Sequence, residues 1–393
     1  MTPPFLEPGR IGPVALPNRL VRAPTSETMA TEDGEVTPDL RRLYGELARG
    51  GAGLLLTGHI FVRPDGQCSP RQMALHDDRF VPGLARLVRE VHAGGARIFA
   101  ELSHAGSQTM MPGLTPLAPS GVSSAIYPGQ PRGMTGQDIA EVIAAFGAAA
   151  ARARAAGFDG IHIHGGNGYL AAQFASPASN RRDDDWGGDA AGRSRFLLAV
   201  LAAVRDGAGP GLAVTARYGV MDSAPGGLSL EEGLARLEAL ADAGLDAVEP
   251  TYNLMRSYRE NIRPYVAVGA TRALRDWVAP RLWRPAAPQA YYRPLARAIK
   301  ARMDLPVILV GGVRGTDVME EVLRSGDADF LSMARPLVRE PDLPKQLAGG
   351  RRGVVDCVSC NICLAHDGHD ALKCWRRNPV DLLRHAAWRL ARR

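Results

Sequence analysis

A chain of 393 residues, 46% of them apolar, can bury the core of one large α/β domain or two ordinary ones. Its formal charge of +6 is small for that length. No basic strand interleaved with aromatics accompanies the charge, which argues against nucleic-acid binding. No apolar run is long enough to cross a bilayer, and no basic stretch followed by an apolar one opens the chain, so a cytoplasmic protein is expected.

Strand-length apolar runs recur along the chain at 20–25, 54–57, 97–102, 160–164, 213–218, 247–250, 307–310 and 330–333. Continuous apolar runs suit parallel strands covered on both faces. Amphipathic segments with usable N-caps separate them. Thr135 and Asp138 open a long Ala-rich helix, and Ser229 and Glu232 read as a capping box before another. Eight strand–helix units predict an α/β fold of the (β/α)8 barrel (TIM barrel) type over residues 1–345. A doubly wound sheet is the rival, but the G-x-G-x-x-G turn it would place after its first strand is missing. Residues 3–18 read as a hairpin capping the barrel bottom. The segments 108–134 and 252–289 exceed ordinary loop length and should border the functional face; the second carries Arg256, Tyr258, Arg259, Tyr265, Trp277 and Trp283. Residues 346–393 form a cysteine-bearing loop and a basic helical tail packed on the barrel.

Barrels of this kind place functional groups at strand C-terminal ends. Collecting those ends gives Pro24, Thr25 and Ser26; Gly58 and His59; Glu101; His164, Asn167 and Tyr169; Arg217; Gly311 and Gly312; Ala334 and Arg335. Two hydrogen-bond donors and a phenol after strand four can hold a carbonyl oxygen and deliver a proton beside it. Glycines after strand seven let backbone amides approach an anion, with Arg335 supplying charge. Arg217 suits a developing negative charge, or else a carboxylate across the barrel.

Four of the five cysteines fall within eighteen residues, as Cys357, Cys360, Cys363 and Cys374. The spacing C-x2-C-x2-C-x10-C reads as iron–sulfur ligation, with structural zinc as the alternative. His366 and His369 lie inside the loop and could replace a cysteine.

The segment 157–196 closely resembles the central signature of the Old Yellow Enzyme family of FMN-dependent NADH:flavin oxidoreductases. The likeness includes Ser179-Asn180-Arg181, Gly187-Gly188 and Arg193-x-Arg195-Phe196. It implies FMN, with its phosphate at Gly311, Gly312, Ala334 and Arg335 and with Arg217 at the flavin N1/O2 side. Pro24, Thr25 and Ser26 would lie against C4 and N5, and Gly58 and His59 at the flavin edge. His164 and Asn167 would hold the oxygen of an enone or enoate, and Tyr169 would protonate its α-carbon. NAD(P)H would take turns with that substrate. The chain departs from the family pattern at Glu101, usually Gln; at His59, usually small; and at His162, commonly Glu.

The cysteine loop is similar to the [4Fe–4S] loop of trimethylamine dehydrogenase and 2,4-dienoyl-CoA reductase, which implies such a cluster. The chain stops about twenty residues after Cys374, without a second flavin domain, so an electron-transfer protein becomes the expected partner. A homo-oligomer is also compatible with the sequence. Amine dehydrogenase or N-demethylase chemistry, and a redox subunit serving a partner, are the competing functions.

Overall fold

A computed structural model describes residues 2–124, 126–127, 129–256 and 289–391. Most of the long segment after strand six, including Tyr258, Arg259, Tyr265, Trp277 and Trp283, lies outside the described residues.

Eight parallel strands form the barrel, and they are numbered one to eight in chain order: Leu20–Arg22, Leu54–Leu56, Arg97–Ser103, Gly160–Gly165, Ala213–Met221, Ala247–Tyr252, Ile308–Leu309 and Phe330–Met333. Their order in the sheet is six, five, four, three, two, one, eight, seven. A parallel bridge between Val248 and Val307 closes the ring, and the Val248 amide donates to the Pro306 carbonyl at 2.9 Å. Strand one is shorter than its apolar run. Ala23 still donates to Met333, but Pro24 has no N–H to continue the ladder.

Helices cover the outside. Helix Gly136–Ala156 starts with the full capping box at Thr135 and Asp138. Helix Leu230–Asp242 keeps half of the expected box. Ser229 accepts from the Glu232 amide, while the Glu232 carboxylate turns away to Arg193 and Arg236. Helices Gly136–Ala156 and Ala190–Ala208 approach closely because of glycine, since a Cβ on Gly207 would sit 2.2 Å from the Gly147 carbonyl.

Strand residues alternate between two cores. Leu55, Ile98, Leu102, Ile163, Val214 and Leu331 face the helices in the large outer cluster. Val21, Leu54, Leu56, Phe99, Ala213, Ala247, Ile308 and Phe330 fill the inside of the barrel floor. The hairpin Gly9–Ile11 and Val14–Leu16 closes that floor by adding Ile11, Val14 and Leu16 to the same cluster. Two residues further along five of the strands, on the same inward face, the side chains become polar: Glu101, His162, Thr215, Glu249 and Ser332. The barrel therefore has an apolar floor and a polar, partly ionisable upper half. Among the described residues no helix is long and apolar enough to cross a membrane.

Candidate active site

A cavity of about 280 Å³ opens at the C-terminal ends of the strands. Its wall contains Pro24, Thr25, Ser26, His59, Glu101, His164, Asn167, Tyr169, Arg217, Gly311, Gly312, Ala334 and Arg335. Every barrel residue singled out from the sequence is thus gathered there except Gly58. Its amide is taken up by a buried cluster instead, donating to Glu27 at 2.7 Å and Tyr44 at 2.9 Å. A side chain at Gly58 would run into Glu27, whose Oε2 lies 2.2 Å from an ideal Cβ. Arg22 completes this cluster, 3.4 Å from Glu27.

The strand-four end is held by its neighbours. Asn167 sits in left-handed backbone (φ 56°), a conformation Asn tolerates better than most residues. Thr251 donates to Asn167 Oδ1 at 2.8 Å, which turns the amide so that Nδ2 is its donor end, with no acceptor among the described residues. His164 and Tyr169 meet edge-on with ring centroids 4.2 Å apart. The Tyr169 hydroxyl lies 3.3 Å from the buried Cys68 thiol. Burial pushes that thiol up to about 12, so it stays neutral.

Charges are paired below the cavity. Arg217 donates to Glu249 from Nε at 2.8 Å and from a terminal nitrogen at 2.5 Å. It does this while lining the cavity, so Glu249 is the carboxylate across the barrel that the sequence allowed for. His162 is fully buried between Thr215, at 2.8 Å, and Glu249, at 3.8 Å. Burial works to raise the Glu249 carboxyl, but Arg217 and His162 outweigh it and hold it at about 2. Glu101 is likewise held at about 2: burial works against it, and His164 and Arg217 bring it down. A Glu101 oxygen and His164 Nδ1 lie 3.2 Å apart, outside hydrogen-bond alignment, and both atoms are buried. The carboxylate is therefore ionised and spends its charge on His164.

The far wall suits an anion. Gly311 and Gly312 have φ of 102° and 77°, and a Cβ on Gly311 would meet both Tyr291 and Tyr292 at 2.7 Å. Arg335 lines the same wall and donates to Asn361 Oδ1 at 2.5 Å. Arg314 joins it; burial lowers its pKa, and Arg335 lowers it further. Two crowded guanidiniums beside a glycine turn fit a phosphate, and so fit FMN.

The cysteine loop reaches the cavity through Cys363, Leu364, Asp367 and Leu372. Ser359 and Asn361, flanking Cys360, are in left-handed conformations and wrap the loop. Burial raises the Cys360 thiol to about 11 and the Cys363 thiol to about 12, and it raises Cys357 as well. Among the described residues no three His, Cys, Asp or Glu side chains converge as a single ion would require. The expected metal-binding loop is therefore not displayed as a formed site. His366 is not placed as a substitute ligand: its Nδ1 meets Asp370 at 2.7 Å, its Nε2 meets His385 at 2.8 Å, and its ring stacks on Trp375.

Sequence reasoning missed several wall residues. Thr251 directly follows the apolar run 247–250, and Glu249 inside that run, although beneath the cavity rather than in its wall, was a usable signal as an inward charge. Arg314 follows the glycine turn by two residues and was also legible. Gln108, Tyr292 and Asp367 reach the cavity only through tertiary packing. Asp367 is raised by burial and held by Ser26 and Thr28.

Residues 4–353 match the NADH:flavin oxidoreductase / NADH oxidase family. The chain belongs to this family. It is 35% identical over 365 residues to the NADH oxidase of Thermoanaerobacter brockii, covering 92% of this chain and 53% of that protein. It is 35% identical over 377 residues to the 4,4'-dithiodibutanoate disulfide reductase of Rhodococcus erythropolis, covering 92% of this chain and 93% of that protein. Among solved structures, 2-naphthoyl-CoA reductase in complex with 2-naphthoyl-CoA superposes with a TM-score of 0.83 at 26% identity, over 97% of this chain and 58% of that one. The chain thus spans about half the length of several relatives and nearly all of another.

Proposed function

We propose that this chain is an FMN-dependent NAD(P)H oxidoreductase that reduces the C=C bond of an α,β-unsaturated carbonyl compound. The observation that carries the reading is one cavity wall holding His164, the open Asn167 Nδ2 and the Tyr169 hydroxyl, opposite a cationic glycine cradle. Bound FMN supplies hydride chemistry. Gly311, Gly312, Arg314 and Arg335 would hold its phosphate, and Arg217 would face the flavin ring. His164 and Asn167 hold the carbonyl oxygen, which makes the β-carbon electrophilic. Thr251 keeps Asn167 turned for that task. Tyr169 gives its proton to the α-carbon.

The four thiols would take up a [4Fe–4S] cluster, the reading that the spacing of Cys357, Cys360, Cys363 and Cys374 supports over zinc. Cys363 lines the same cavity as the proposed flavin site, which supports a cluster there that would pass electrons to a partner protein. The full-length match to a disulfide reductase favours a second substrate class, a small organic disulfide taking up two electrons and two protons to give two thiols.

The test is the visible spectrum and the iron and zinc content of anaerobically purified protein, followed by stopped-flow of each half-reaction. The expected result is a flavin reduced by NAD(P)H and reoxidised by an enone. Absence of flavin after reconstitution overturns the proposal, and bleaching by a tertiary amine with no reoxidation by enones overturns it in favour of an amine dehydrogenase.

A further inference from the structure

His59 stands just beyond strand two, in the wall that also carries His164 and Tyr169. Its ring is edge-on to Tyr169 with centroids 5.5 Å apart, and its centroid lies 6.3 Å from that of His164. A chain of hydrogen bonds starting at the backbone decides its tautomer. The Cys68 amide donates to Gln72 Oε1 at 2.7 Å, and the Ser69 amide reaches the same oxygen at 3.4 Å. An amide oxygen only accepts, so the other end of Gln72 is its NH2 group. That Nε2 reaches the His59 carbonyl at 2.9 Å and His59 Nδ1 at 3.0 Å. A ring nitrogen that accepts carries no proton, so the proton of neutral His59 is on Nε2. Burial, reinforced by His164 and Arg217 against the pull of Glu101, holds this imidazole at about 4. The ring is therefore uncharged at neutral pH. Among the described residues Nε2–H donates to nothing, although Gln72 and the backbone hold the ring in place.

We propose that His59 is a specificity-determining donor whose Nε2–H takes the second oxygen of a substrate carboxylate, so that the site favours enoates over enones of the same skeleton. The proposal rests on the reading that His164 and Asn167 hold the first oxygen. It moves His59 from the flavin edge, where the family resemblance put it, to the substrate. A carboxylate is planar, and its two oxygens can meet donors on neighbouring rings. A ketone fills one donor position and leaves the other without an acceptor once water is displaced. A site built to hydrogen-bond a group discriminates against the analogue that lacks it.

The experiment uses the full chain loaded with FMN. Cinnamate and benzylideneacetone, which share one skeleton, are titrated into the oxidised protein and followed by flavin absorbance. His59→Phe keeps an aromatic ring, removes the donor and alters no charge. Its cinnamate Kd should rise about tenfold or more, while that of benzylideneacetone should move by less than about threefold. Gln72→Met leaves His59 in place but frees its tautomer. It should weaken cinnamate by about threefold and spare the ketone, which keeps the proposal testable if His59→Phe does not fold. Equal losses for both ligands, or unchanged cinnamate binding in either folded variant, overturn the role of His59 alone. A wild-type protein that binds flavin but is neither bound nor reoxidised by benzylideneacetone removes the underlying reading as well.

Discussion

The floor and the mouth of the barrel are built from the same strands with the same alternation, yet they serve opposite ends. On strand three the inward positions run Phe99, then Glu101. On strand five they run Ala213, Thr215, Arg217, and on strand six Ala247, Glu249, Thr251. The floor is sealed by the hairpin residues Ile11, Val14 and Leu16, which join Val21, Leu54, Phe99 and Phe330 in one apolar cluster. The mouth keeps Glu101, His162, His164, Arg217 and Glu249 buried or nearly so. Burying such charges is costly unless they are paired. The pairing of Arg217 with Glu249 meets that condition, and His164, Asn167 and His59 line the cavity above it. Stability is thus concentrated at one end and reactivity at the other, as expected for the fold.

Breaking the floor should show the largest effect. Phe99→Ala empties a fully buried position and should cost about 3–5 kcal/mol, read by urea denaturation. The surviving folded protein should still bind flavin and turn over enones. Impaired chemistry at full flavin occupancy would mean the two ends are not independent.

At the mouth the pattern should invert. Asn167→Ala should cost roughly 3–4 kcal/mol in the reductive step on enones, a hundredfold to thousandfold in rate. Its stability loss should stay within about 1–2 kcal/mol, the cost of placing Ala in left-handed backbone. Stopped-flow reoxidation by an enone measures the first quantity and denaturation the second. A normal rate would remove Asn167 from the substrate site.

The smallest of the three effects is acid sensitivity. His59 is held at about 4, below its ordinary value of 6.5, so the unfolded chain binds the extra proton first. Stability contributed by His59 is complete above pH 6.5 and is lost as pH falls towards 4, about 3 kcal/mol in all. Glu101 and Glu249, held at about 2, add a further loss only as pH drops from 4.5 towards 2. Denaturation of wild type and His59→Phe across pH 7 to pH 4 separates the two. The variant should lose less stability in that window, and parallel curves would show that His59 is not buried neutral.

Much of this protein was legible before any coordinate. Apolar runs recur in parallel-strand lengths, so eight strands could be placed to within a few residues. Thr135 and Asp138 announced their helix because a capping box is a local interaction. The cavity residues could be collected because the barrel puts strand C-terminal ends on one face, so chain order predicts spatial neighbourhood. What the tertiary structure alone decided lies in contacts distant along the chain. The partner of Arg217 is Glu249, the group that turns Asn167 is Thr251, and the residue that sets the His59 tautomer is Gln72. Gly58 left the cavity because Glu27 and Tyr44 claimed its amide. Patterns of apolar and polar residues report which face a side chain occupies, since that depends on local periodicity. Which atom donates to which depends on distances of a few tenths of an ångström between strands, and only the closed barrel sets those.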